Sequence, residues 1–128
     1  MIAGIGIDLI EIAKIAPDLL SEAYLRKVFT EAEITECSST VNSAERFAGK
    51  FAAKEACMKA AGKGIHQGAW FTQIEILNEE SGAPFIRVGG EMETSMQVMH
   101  VTKIHVSVTH TRNTAAAVVI LEKLDDEP

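Results

Sequence analysis

From Ile2 to Ile12 the chain reads IAGIGIDLIEI, with Ile5, Ile7 and Leu9 on one side of an extended segment and Gly4, Gly6 and Asp8 on the other. This period of two predicts a strand that carries an acid on a face cleared by glycines. Pro17 suits a first helical turn, and Leu20, Tyr24, Leu25, Val28 and Phe29 then recur at helical intervals as far as Thr30. Thr30 with Glu33 has the spacing of a capping box and opens another short helix. Asn42 with Glu45 repeats that pattern ahead of a long helix over residues 43–61, stopped by Gly62. Residues 71–78 (FTQIEILN) and 85–88 predict a hairpin around the turn Ser81-Gly82-Ala83-Pro84. Met92, Met96 and Met99 have helical spacing and are expected to fill core. Ile104, Val106 and Val108 alternate with His105, Ser107 and Thr109, a turn follows at Arg112-Asn113, and residues 115–121 are apolar. A terminal hairpin results, with His110 at its turn end. The tail LDDEP is expected to be solvated.

At 128 residues the chain is expected to form one domain over residues 1–128. Its net charge of −6 argues against a general nucleic-acid binder. Of the twelve basic residues, five fall between Arg46 and Lys63, so positive charge is concentrated in the segment where an anionic ligand is expected. The apolar start is broken by Asp8 and Glu11, lacks a basic leader, and is far below the ~20 residues of a membrane span. Cys37 and Cys57 show neither metal spacing nor a disulfide framework, and a reduced cytoplasmic setting is expected.

On the long helix, Phe47, Phe51, Glu55 and Met58 share one stripe, which puts a carboxylate on the face turned to the core. An unpartnered charge there is costly. Lys59, four residues on, offers a purely structural partner for Glu55 at even odds. Asp8 is a second acid in a polar-poor strand, with a strand-end cap as its ordinary explanation. Two such carboxylates suffice for Mg2+, which commonly takes one or two and completes its octahedron with water and phosphate. Lys50, Lys54, Lys59 and Lys63 recur near helical period and lead into Gly62-Lys63-Gly64; a solvated charged face is favoured over a phosphate-binding stripe by roughly two to one. His105 and His110 lie on the polar side of one hairpin, where hydrogen bonding is the commoner role. No Cys/His metal cluster, nucleophile elbow or Walker loop is present. Unaided, the residues lead to magnesium and phosphate chemistry and no further.

Three blocks, GIGIDLIEI at 4–12, RFAGKFAAKEACMKAAGKGI at 46–65 and HVSVTHTRNTAAAVVILE at 105–122, resemble the holo-acyl-carrier-protein synthases, short members of the 4'-phosphopantetheinyl transferases. FTEAEI and SGAPFI extend the resemblance over nearly the whole chain. It implies a single-domain α+β fold, an antiparallel sheet packed with a long central helix, assembled as a homotrimer with sites at subunit interfaces. It also implies Mg2+ on Asp8 and Glu55, shared with the pyrophosphate of coenzyme A, and Lys59 beside the reacting phosphate. A serine of apo-acyl-carrier protein would attack the β-phosphate and release 3',5'-ADP, with Glu55 as candidate base. Gly62, Gly64, His110 and Thr111 match positions around the coenzyme; Lys50 stands where many relatives have Arg and lacks the bidentate fork of a guanidinium. His105 matches no functional position. The early helix, which in relatives offers arginines to the acidic carrier, has Leu20 and Ala23 here and keeps Lys14, Arg26 and Lys27. The competing readings are a specialised polyketide or peptide carrier as acceptor, a non-catalytic trimer, and another magnesium-dependent phosphate enzyme such as a pyrophosphohydrolase, whose clustered-glutamate helix is absent.

Overall fold

The computed structural model describes residues 1–125. In chain order its elements are β1 (Ile2–Glu11), α1 (Ile12–Ile15), α2 (Glu22–Val28), α3 (Glu31–Ser38), α4 (Ser43–Ala61), β2 (Ile74–Asn78), β3 (Pro84–Val88), α5 (Gly90–Val98), β4 (Val101–His110) and β5 (Thr114–Lys123). Short 3-10 turns lie at Asp18–Leu20, Ile65–Gln67 and Phe71–Gln73. β1, β5 and β4 form one antiparallel sheet in that order, and β2 and β3 form a separate hairpin. This is the α+β arrangement expected, an antiparallel sheet packed with a long helix.

The central strand alternates cleanly: Ala115, Ala117, Val119 and Leu121 are buried on the face that meets α4, while Ala116, Val118 and Ile120 point the other way. α4 answers with Ala48, Ala52, Ala53, Ala56 and Cys57, all fully buried. Small residues on both surfaces let helix and sheet approach closely. At β1 the approach is backbone to backbone: a methyl group on Gly4 would lie 2.0 Å from the Ala60 carbonyl oxygen, and one on Gly6 would lie 2.0 Å from that of Ala56. Only glycine fits at either position. Asp8, two residues further along the same face, is thereby set against the last turns of α4.

A second anchor fastens the β2–β3 hairpin. The Thr30–Glu33 capping box forms, with the Thr30 amide donating to Glu33 Oε1 at 2.8 Å and the Glu33 amide to Thr30 Oγ1 at 3.3 Å. Glu33 is fully buried, and its Oε2 also accepts from the Ile76 amide at 2.8 Å. Lys54, equally buried, lies 2.8 Å from Glu33 Oε1 and donates to the carbonyls of Phe71, at 2.9 Å, and Ile74. One ion pair thus connects α3, α4 and β2.

Four expectations change. The helix expected from Pro17 is divided, because Ser21 takes the Tyr24 amide at 3.2 Å and caps α2 afresh, leaving Leu20 exposed. The strand expected from residue 71 starts at Ile74, since the Phe71 and Ile74 carbonyls both turn to Lys54. The Asn42–Glu45 capping box does not form; Asn42 makes no side-chain cap. The lysines of α4 are neither a solvated face nor a common phosphate stripe, because Lys50 and Lys54 are buried. Met92 and Met96 are buried as expected. In the tail, Leu124 and Asp125 are exposed, and 126–128 lie outside the described residues.

Replacing Gly6 with Ala should cost more than about 3 kcal/mol of stability, because both clashing partners are backbone. Gly62→Ala, at φ +68° with open space around it, should cost only about 1 kcal/mol. Urea unfolding of the two variants checks the difference, and equal losses would contradict the packing described.

Candidate functional site

Asp8 from β1 meets α4 through Lys59, whose Nζ lies 3.1 Å from Asp8 Oδ1 and donates to the Ile7 carbonyl at 3.1 Å. Lys59 therefore turns away from Glu55, and among the described residues no ion pair joins those two. Glu55 is left half-buried beside a second acid. Burial pushes its carboxyl up from the ordinary range, Asp8 pushes it further, and Lys59 opposes both. Its charge also reaches the Tyr24 phenol, raised first by burial, then by Asp18 and Glu55. Two carboxylates and one half-exposed ammonium leave this place short of positive charge.

Next to it lies a pocket of about 220 Å³ lined by Glu55, Met58, Lys59, Gly62, Lys63, Gly64 and Ile65. The left-handed Gly62, at φ +68°, ends the helix and folds Gly64 back beside Lys59. The Gly64 amide is held by Gln67 Oε1 at 2.6 Å, so this glycine supplies space here, not a free donor. The structure thus brings together Glu55, Lys59, Gly62 and Gly64, with Asp8 bonded to Lys59.

Lys50 and His110 lie elsewhere. They line a cleft of about 440 Å³ with Glu36, Glu45, Arg46, Asn78 and others, and none of its lining residues is shared with the smaller pocket. Lys50 and Lys59 are nine residues, about two and a half turns, apart and so face opposite ways from α4. The buried Lys50 ammonium is engaged by Glu36 Oε1 at 2.8 Å, the Ile76 carbonyl and Asn78 Oδ1 at 3.3 Å. His110 Nδ1 lies 3.0 Å from Glu45 Oε2. Thr111 Oγ1 accepts from the amides of Asn113 and Thr114, at 3.2 and 3.1 Å, and shapes the β4–β5 turn. His105 Nε2 pairs with Glu122 Oε1 at 2.8 Å.

The cleft also contains residues that sequence reasoning did not single out. Arg46 lies 3.8 Å from Glu36, and its buried Nε has no hydrogen-bond partner. Glu45 resembled a capping residue, and Glu36 and Asn78 carry no pattern at all. For Glu45 and Arg46 the signal is charge at the start of a long helix, which does not say which way each side chain points.

Asp8 and Glu55 fit a magnesium ion. Such an ion takes one or two carboxylates, and the Glu55 carboxyl, raised first by burial and then by Asp8, stands where a cation would be favoured. Among the described residues no group of three His, Cys, Asp or Glu is placed to hold a metal by protein ligands alone, so the remaining positions would fall to water and phosphate.

Residues 4–119 match the model of the 4'-phosphopantetheinyl transferase superfamily. The chain is 44% identical over 125 residues to the holo-[acyl-carrier-protein] synthase of Maridesulfovibrio salexigens, covering 96% of this chain and 100% of that one. It is 40% identical over 124 residues to the synthase of Koribacter versatilis, covering 95% and 99%. Among solved structures it superimposes on the holo-(acyl-carrier-protein) synthase from Bacillus anthracis in complex with CoA (3',5'-ADP), with a TM-score of 0.80, 33% identity, and 97% and 99% of the two chains covered. The Neisseria meningitidis synthase gives a TM-score of 0.86 at 28% identity, covering 96% and 100%.

The raised Glu55 carboxyl has a sign that can be tested. A carboxyl whose folded value lies above its unfolded one favours the protonated form, so its charge weakens the fold as pH rises through that window. Glu55→Gln should therefore melt roughly 1 to 3 °C higher than the parent in metal-free buffer at neutral pH. The gap should close as pH falls through the carboxylate range. Calorimetric melting at several pH values measures this, and a variant that melts lower at neutral pH would contradict the electrostatics.

Proposed function

The chain belongs to the 4'-phosphopantetheinyl transferase superfamily, within its holo-acyl-carrier-protein synthases, and on that premise we propose a specific reaction. It moves the 4'-phosphopantetheine arm of coenzyme A onto a serine of apo-acyl-carrier protein, with Mg2+, and releases 3',5'-ADP. The observation that carries this reading is the meeting of Asp8, Glu55 and Lys59 at a glycine-lined pocket.

Asp8 and Glu55 would hold the ion, which when bound supplies positive charge to the phosphate oxygens. Lys59 is half-exposed at the rim of the pocket and can pass from Asp8 to a phosphate oxygen. There it stabilises the charge that grows as the serine oxygen bonds to the β-phosphorus and the bond to the departing 3',5'-ADP breaks. Glu55, beside Lys59 in the wall of the pocket, is the candidate to accept the serine proton. Lys50, His110 and Thr111, with Gly62 and Gly64, are proposed to contact the coenzyme.

The division of these residues between two sides of α4 supports a homotrimer whose sites lie at subunit interfaces. So does the outer face of the sheet, where Ile5, Ile7 and Leu9 are 61%, 68% and 70% exposed beside Ile120, Val118 and Ala116. A contiguous apolar face of this kind marks a protein partner. A specialised carrier as acceptor is favoured by one detail: Arg26 is held by Glu22 at 3.1 Å and Glu31 at 2.7 Å while Leu20 stands 90% exposed, so the early helices present less free positive charge. No helix among the described residues is long and apolar enough to cross a membrane. Both thiols are free and buried, pushed up to about 11 at Cys37 and about 12 at Cys57, and a cytoplasmic setting with reduced thiols is proposed.

Intact-mass analysis of apo-carrier incubated with the chain, coenzyme A and Mg2+ should show a phosphopantetheine gain that is lost with Asp8→Asn and without metal. Lys59→Ala should slow turnover about 10² to 10³-fold. No gain on fatty-acid, polyketide and peptide carriers alike, with folded protein, would sink the reading in favour of a non-catalytic trimer. Release of phosphate products without any protein acceptor would instead indicate a hydrolase. In sedimentation the parent should run as a trimer and Ile7→Asp as a monomer; a monomeric parent would remove the shared site.

A further inference from the structure

Asn42 and Glu45 have the spacing of a capping box, yet neither side chain caps α4. A reciprocal cap at this position would have contributed about a kilocalorie of helix stability, and a local rule left unused in this way tends to mark a functional demand. Glu45 instead crosses to the end of β4, where its Oε2 lies 3.0 Å from His110 Nδ1. The contact is one of ion-pairing distance, and it turns the Nδ1 edge of the imidazole toward the acid. The ring is thereby oriented and its second nitrogen, Nε2, becomes the one available to a ligand. The same cleft holds Lys50, the unpartnered Arg46 Nε, and the acids Glu36 and Glu79.

We propose that Glu45 is a positioning residue for His110, holding its ring so that Nε2 faces a phosphate at the nucleotide end of coenzyme A. This rests on the transferase reading and its placement of His110 at the coenzyme. A phosphate oxygen needs a donor, and with the Nδ1 edge turned to Glu45 the nitrogen left to supply it is Nε2. The bound state is then a row of carboxylate, imidazole ring and phosphate, in which Glu45 holds the ring while Arg46 and Lys50 complete the anion's surroundings. Glu36 keeps Lys50 fixed at 2.8 Å and lies 3.8 Å from Arg46, which leaves the guanidinium less firmly held of the two.

The test is calorimetric titration of the full-length chain with coenzyme A in the presence of Mg2+, using Glu45→Ala, Glu45→Gln, His110→Ala and the double variant Glu45→Ala/His110→Ala. His110→Ala and Glu45→Ala should each weaken binding about tenfold. The double variant should bind no more weakly than His110→Ala, because Glu45 acts through the ring. Glu45→Gln, whose side-chain oxygen can still face Nδ1, should recover most of the affinity, and all variants should melt within about 3 °C of the parent. A purely structural staple would lower the melting temperature without this pattern of affinities. Unchanged affinity in Glu45→Ala, or additive losses in the double variant, overturns the proposal while leaving the transferase reading intact. Unchanged affinity in His110→Ala removes the histidine from the coenzyme site and the role of Glu45 with it, and a parent that binds no coenzyme A overturns the transferase reading itself. Imidazole nitrogen-15 spectra give a second reading that does not depend on Glu45→Ala folding: in the coenzyme complex His110 Nε2 should carry a hydrogen, and a bare Nε2 overturns the proposal.

Discussion

The structure depends first on how closely β1 lies on α4. With Gly4 and Gly6 against the carbonyls of Ala60 and Ala56, strand and helix touch through their backbones, and no side chain separates them. A larger residue at either glycine would lift the strand by at least the thickness of a methyl group. Asp8 would then be carried away from Lys59, whose two contacts, to Asp8 and to the Ile7 carbonyl, both depend on that approach. The same geometry fixes the fate of the alternate positions. Because the glycine face is turned inward, Ile5, Ile7 and Leu9 are turned outward, and an apolar sheet surface is the direct cost of placing an acid beside the helix.

Glu33 and Lys54 supply the second constraint, and its worth is not mainly in stability. Burial lowers the Lys54 ammonium from its usual range, with Glu33 opposing that shift. A buried pair of this kind often does no better than well-packed apolar residues of the same volume. What an apolar pair could not do is receive the Thr30 and Ile76 amides and donate to two carbonyls of the next segment. Those bonds set the angle at which the β2–β3 hairpin leaves α4. The hairpin in turn supplies Ile76, Asn78 and Pro84 to the larger cleft, so a buried ion pair outside the cleft shapes one of its walls.

Much of this was legible in the sequence, and what was legible is local. The alternation of β1, the Thr30–Glu33 box, the stop at Gly62 and the buried methionines of α5 each rest on neighbours within a turn or a strand pair. Apart from the fresh cap at Ser21, which is local, the errors share one cause, a polar side chain whose partner is remote in sequence. Lys54 has the spacing of an exposed stripe, but Glu33 on another helix takes it inside. Glu45 has the spacing of a cap, but His110 at the far end of the chain claims it. Glu55 has a lysine one turn away, yet that lysine goes to Asp8 on the first strand. Periodicity reports which face of a helix a residue occupies. It does not report which of several possible partners will win.

The same limit bears on the site as a whole. Lys50 and Lys59, both named by the same sequence block, leave α4 on opposite sides and line separate cavities. A helix about 10 Å across stands between the two groups of residues. Folding the chain more tightly cannot unite them, since the intervening helix is itself the core. A ligand long enough to use both must either wrap around the helix or take one group from each of two copies. The exposed face of β1, which adjoins Asp8, is the support for the second arrangement within the homotrimer proposed above, because the geometry that brings the acid to the helix also turns Ile5, Ile7 and Leu9 outward.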